Sequence, residues 1–307
     1  MTGDGDRSAA RERWADEVTC VGCGRKRNEL IRNALFSSLP DAHGVDDLPK
    51  TDIERTLVAE TSAAANEVLQ GQGLPGSPIS DARVHVLTDA EFEATIGRGC
   101  RGKCAYGHVY LRRQDDLTNF AHELTHEIAH LISFLAIRVT AETRPDGHRD
   151  LQILPRRSGL SLYGLDPAEE DPLFNGLNEA VTEIIAHEIR AALAVSSKIL
   201  SADGCQQLIK TWVYLPQIKL IWHLLDRLQA AGGDSDPGRE LLQDYFAGTS
   251  RFLNRLYAAD PGALRLLRTM GTRASDAFGA ADKLGCPEIM DDIRRFYGRK
   301  PDPQPPK

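Results

Sequence analysis

The run His122-Glu123-Leu124-Thr125-His126-Glu127-Ile128-Ala129-His130 contains the pattern H-E-x-x-H twice, overlapping at His126. On an α-helix, residues four apart lie about 6 Å apart along the axis and about 40° apart around it. Two imidazoles so placed can reach one Zn²⁺ at ~2.0–2.1 Å. The Glu after the first His then lies beside the open coordination position, where it can act as general base on a zinc-bound water. The three histidines cannot all serve one ion, because His122 and His130 are about 12 Å apart along such a helix. Two registers therefore compete: His126 and His130 with Glu127, or His122 and His126 with Glu123. His126 belongs to both.

A catalytic zinc takes three protein ligands and keeps one position open. The candidate for the third is in Asn178-Glu179-Ala180-Val181-Thr182-Glu183. Glu179 and Glu183 are four apart, so on a helix both carboxylates face the same way. One can bind the metal, and the other can accept the remaining N–H of a ligand His and so fix its tautomer. Without the His run, a solvated helix face would be the simpler reading of these two carboxylates.

Together, Ala121-His122-Glu123-Leu124-Thr125-His126 and Asn178-Glu179-Ala180-Val181-Thr182-Glu183 resemble the gluzincins, the zinc peptidase clan that includes thermolysin. The resemblance covers these two stretches and the α/β order before them. It implies a zinc-dependent hydrolase, a peptidase, with Glu179 as third ligand and Glu183 hydrogen-bonded to a ligand His. In that clan an apolar pair after the motif buries the back of the helix, and Leu131-Ile132 stand in that place after His130. The first register is instead followed by charged Glu127. We therefore assign His126, His130 and Glu127 and keep His122 with Glu123 as the alternative register. The interval between the motifs is longer than in thermolysin. No position matches the clan's transition-state-stabilising His or Tyr, for which His148, Tyr163 and Tyr214 are candidates.

The elements that must position these residues can be read around them. Residues 1–16 and 299–307 read as disordered tails. Thr51 or Asp52 caps a helix that runs to Gln70 and ends at Gly71 and Gly73. A strand follows over 82–87, then a short helix opened by Thr88 through about Ile96, a loop over 97–107, and a strand over 108–112. Asp115 or Asp116 caps the His helix, expected to run to about Thr140. This order is the layout of zincin catalytic subdomains, in which the strand before the zinc helix forms the sheet edge where an extended peptide lies. Residues 144–172 read as a loop or flap. From 173 to 298 the chain reads as helical, with segments 176–199, 204–231, 238–258, 261–270 and 287–297. The expected fold is thus α+β: a small α/β subdomain over 17–143, a flap, and a mostly helical C-terminal half carrying the Glu ligand.

The formal net charge of −7 disfavours a phosphate-tracking surface, so no nucleic-acid partner is expected. No apolar run is long enough to span a bilayer and no signal segment opens the chain, which suggests a cytoplasmic protein without a membrane partner. Six cysteines in 307 residues are too sparse for a disulfide scaffold. Cys20-x-x-Cys23 and Cys100-x₃-Cys104 could form a second, structural zinc site, or remain free thiols. Cys205 and Cys286 read as buried small side chains. His43, His85 and His108, each standing alone in the sequence, read as satisfied surface or strand histidines rather than ligands. Two other functions compete with the hydrolase: a non-catalytic zincin-fold binding or regulatory protein, and a zinc-ribbon protein that binds nucleic acid.

Overall fold

The computed structural model describes residues 17–20, 47–76, 78–105, 107–143, 149–164, 172–232, 235–286 and 291. The class is α+β and mostly helical, with ten α-helices among the described residues. None of these is long and apolar enough to cross a membrane. The chain divides into two compact units, one of residues 1–159 with 182–212 and one of 160–181 with 213–307.

In the first unit, α1 (Asp52–Gly71) begins where the sequence places it. Thr51 Oγ1 accepts from Glu54 N at 3.2 Å, and Glu54 Oε2 accepts from Thr51 N at 2.6 Å, a reciprocal cap that answers two otherwise unpaired donors. Glu54 also receives both Nε and Nη2 of Arg113 at 3.0 Å, tying α1 to the chain just past the strand His108–Arg112. The sheet has the order β2 (Val84–Leu87), β4 (His108–Arg112), β3 (Gly102–Ala105), with β2 parallel and β3 antiparallel to β4. Helix α2 (Asp89–Thr95) is capped by Thr88. Its Phe92 joins Leu87 and Tyr110 in a cluster.

The strand before the His helix is therefore the middle strand, not an edge. Four of its five residues are buried, as a strand with helices packed against its sheet requires. Its second partner, β3, falls in a stretch read as loop. Gly102-Lys103-Cys104-Ala105 has no β-branched or aromatic residue to announce a strand, and pairing with β4 supplies the order.

Helix α3 (Leu117–Leu131) carries the His run. Asp116 caps it, accepting from Thr118 N at 2.7 Å and Asn119 N at 3.1 Å. Phe120, Ala121, Leu124 and Ile128 form its buried stripe, and it packs on α1, β3, β4 and α5 (Ala202–Lys210). It stops nine residues before the expected Thr140. Ser133 donates both its N–H and its hydroxyl to His130 O, at 3.1 and 2.7 Å, closing the last turn. The next residues include Ile137, Val139, Thr140 and Thr143, whose β-branching favours extended backbone. They form β5 (Leu135–Thr143), which pairs antiparallel with β6 (Arg149–Ser158) and parallel with β1 (Glu17–Cys20). Strand β6 occupies much of the stretch expected to be a flap.

The second unit holds β7 (Ser161–Leu162), the first turns of α4 (Asn175–Ser196), and helices α6 (Leu215–Ala230), α7 (Pro237–Ala247), α8 (Arg251–Ala259), α9 (Pro261–Thr269) and α10 (Ala274–Lys283). One helix was expected over 204–231. It is interrupted after Lys210, and Tyr214 takes a left-handed φ of 55° before Pro216. The expected 238–258 helix breaks at Gly248. There the fully buried Asp244 accepts from Arg251 N at 2.7 Å and Leu253 N at 3.3 Å, so its carboxylate replaces the lost helical acceptors. Of the expected helix over 287–297 only residue 291 is described, and the terminal tails lie outside the described residues.

The start of α4 is held tightly. Gly176 N donates to Met270 O at 2.9 Å, and Asn178 Oδ1 accepts from Leu160 N at 2.9 Å. A Cβ at Gly176 would lie 2.2 Å from Gly271 O and 2.7 Å from Met270 O, so only glycine permits this approach. Gly176→Ala should therefore lower the unfolding free energy in urea by about 1–3 kcal/mol. Gly71→Ala, where a Cβ meets nothing within 4 Å, should leave it within about 0.5 kcal/mol or slightly raised.

Candidate metal centre

Helix α4 addresses the histidines of α3 with successive residues of one face. His126 is buried, and its Nδ1 lies 3.1 Å from Glu183 Oε2. Glu183 has no solvent exposure, and its other oxygen accepts from Arg190 Nη2 at 2.6 Å. Burial alone would push this carboxyl up. The His126 hydrogen bond and the Arg190 charge outweigh that and hold it down at about 2. Glu183 is thus an anion at neutral pH, and His126 Nδ1 is the donor to it. One residue earlier, the buried Thr182 places Oγ1 3.3 Å from His130 Nδ1. The two imidazole centroids are 5.0 Å apart, with planes at 79°. Glu179, one turn before Glu183, completes a group: one ligand atom each of His126, His130 and Glu179 lies within 4.8 Å of the others. Two imidazole nitrogens and a carboxylate oxygen are a donor set suited to a divalent transition metal.

Glu127 is 6% exposed and pressed against β3. A Cβ at Gly102 would fall 2.7 Å from Glu127 Cγ and 2.9 Å from Glu127 Oε1, so the glycine gives the carboxylate its place. His122 stands differently from its two companions. It does not belong to the convergent group. Its Nε2 is buried with no hydrogen-bond partner among the described residues, and its Nδ1 is 3.9 Å from Glu123 Oε1. Burial, aided by the Arg190 charge, pushes His122 down to about 4. Burial pushes the Glu123 carboxyl up, against the pull of His126.

The structure thus brings together His126, His130, Glu179 and Glu183. The solvated-face reading fails for Glu183, which has no access to solvent. Cys100 and Cys104 carry free thiols. Burial raises both, Cys104 to about 12, so neither is a thiolate at neutral pH. Cys23, their expected partner with Cys20, lies outside the described residues, as do His43 and His148. His85 and His108 are hydrogen-bonded histidines on β2 and β4. His85 Nδ1 lies 2.6 Å from Asp47 Oδ2, and its Nε2 lies 2.8 Å from His108 Nδ1.

Three contributors escaped the sequence reading. Thr182 was visible only as part of the motif. Arg190 stands seven residues, two helical turns, after Glu183, a spacing that could have pointed to it. Gly102 gave no signal without the sheet. In comparisons with models of known families, with curated proteins and with solved structures, the chain matches none.

A neutral buried His122 has a consequence for pH. Its imidazole binds a proton near 6.5 when unfolded and only near 4 when folded. Its contribution to stability is therefore complete above 6.5 and is lost as the pH falls from 6.5 to 4. Urea unfolding of the metal-free protein should show this decline, and His122→Leu should flatten it across that interval.

Proposed function

We propose that the protein is a zinc-dependent hydrolase acting on peptides, with one Zn²⁺ held by His126, His130 and Glu179. The observation that carries this reading is the convergence of those three donors within 4.8 Å. Donors at ~2.0–2.1 Å from one ion stand roughly 3.3 Å apart, so the group is near the required spacing. The hydrogen-bond partners fit as well. An imidazole that donates Nδ1–H to Glu183, or to the Thr182 hydroxyl, carries its lone pair on Nε2, ready for a metal.

The bound ion would supply Lewis acidity, lowering the pKa of water and polarising a carbonyl. The chain's own residues do the rest. Glu127, the residue after His126, takes the proton from the attacking water at a carboxylate oxygen. It then delivers that proton to the departing amine nitrogen. Gly102 lets Glu127 lie against β3. A peptide, rather than another acyl substrate, rests on the likeness of the two motifs to those of the gluzincins. An extended peptide adding to the three-stranded sheet would pair with an edge strand, β2 or β3, and β3 is the one that carries Gly102 beside Glu127.

Substitutions separate the parts of this reading. His126→Ala and His130→Ala should each abolish stoichiometric zinc by mass spectrometry, and His122→Ala should retain it. Glu127→Gln should keep the zinc and cut hydrolysis of unfolded casein by roughly 10²–10⁴-fold, whereas Glu123→Gln should be nearly silent. Zinc retained by His126→Ala would overturn the centre. A zinc-loaded wild type that cleaves no peptide would point to a binding or regulatory role instead.

A further inference from the structure

Arg190 is fully buried, and its guanidinium has one charged partner among the described residues. Nη2 donates to Glu183 Oε1 at 2.6 Å and to Thr211 O at 3.2 Å, while Nε and Nη1 are buried with no hydrogen-bond partner among the described residues. Such burial is a poor way to gain stability. Removing a guanidinium from water costs several kcal/mol, and apolar side chains of similar volume in place of both partners of such a pair often serve a core as well or better. The two unanswered nitrogens make the balance worse. The value of the charge shows on the far side of its partner, where Glu183 Oε2 receives His126 Nδ1. A carboxylate with one oxygen gripped by a fixed cation on its own helix cannot swing about its side-chain torsions. Its second oxygen is then held at one place, and that place is the ring nitrogen of His126. His130 is oriented differently, by the uncharged hydroxyl of Thr182 at 3.3 Å.

We propose that Arg190 is a positioning residue of the metal centre: it clamps Glu183 so that its other oxygen fixes the ring orientation and tautomer of His126, leaving Nε2 as the coordinating atom. This rests on the reading of His126 as a metal ligand. The clamp acts through Glu183 alone, and removing it lets the His126 ring adopt orientations that do not meet His130 and Glu179.

The test uses the full-length protein with zinc as the probe, by chelator competition, and cobalt substitution with visible absorption as a second readout. Arg190→Met should weaken zinc 10–100-fold, the range for loss of a group that orients a ligand His. It should also change the cobalt ligand-field bands, and it should lower the urea unfolding free energy of the metal-free protein, because the buried Glu183 loses its cation. Arg190→Lys should recover part of the affinity. Glu183→Gln should weaken zinc at least as much, and Arg190→Met combined with Glu183→Gln should be no weaker than Glu183→Gln alone. Wild-type affinity and spectrum in Arg190→Met, or additive losses in the double variant, would overturn the proposal. If Arg190→Met does not fold, Arg190→Lys decides: an intermediate affinity supports the clamp, and an unchanged one refutes it. Zinc retained by His126→Ala would instead sink the metal-centre reading itself.

Discussion

A carboxylate cut off from water must be answered by donors or it will not remain charged. Glu183 is the point where this protein meets that demand, with Arg190 on one oxygen and His126 on the other. The arrangement joins α3 to α4. It also dictates a tautomer, since the imidazole that gives its Nδ1 proton to an anion must expose Nε2 as a base. The chemistry proposed for the site follows from that constraint. A ring of fixed orientation beside a second imidazole and a second carboxylate is a set of donors arranged in advance.

Two glycines do for the backbone what Glu183 does for the side chains. Gly102 lets Glu127 come against β3 closer than any Cβ would permit. Gly176 lets the first turn of α4 settle on the carbonyls of Met270 and Gly271, three residues before Glu179. The candidate base and the candidate ligand carboxylate thus both owe their positions to places where a side chain is missing. Phe174, with φ of 62°, turns the chain into α4 just before, and its N–H donates to Arg268 O at 2.9 Å. A non-glycine residue in that conformation is costly and persists because its surroundings hold it.

Local signals carried the sequence reading where local chemistry decides structure. Thr51, Thr88 and Asp116 cap their helices as their side chains and spacing announce. The four-residue spacings of His126 to His130 and Glu179 to Glu183 put each pair on one face of a real helix. What escaped was determined by partners distant in sequence. Strand β3 has no composition of its own and exists because β4 needs a neighbour. That same pairing moves β4 from the edge to the middle of the sheet. The His helix ends at Leu131 because Ser133 caps it and β5 finds partners in β6 and β1, none of which helical periodicity can foresee. The choice between His122 and His130 was likewise open on spacing alone. What separates them physically is the reach of α4, which sets Thr182 and Glu183 opposite His130 and His126.

Crystals of the full chain grown with zinc, measured on both sides of the zinc absorption edge, test the central claim most directly. The account predicts an anomalous peak within ~2.2 Å of His126, His130 and a Glu179 oxygen, with His126 Nδ1 still on Glu183. A peak coordinated by His122 and His126, or the absence of any peak at these residues in zinc-saturated crystals, would contradict it.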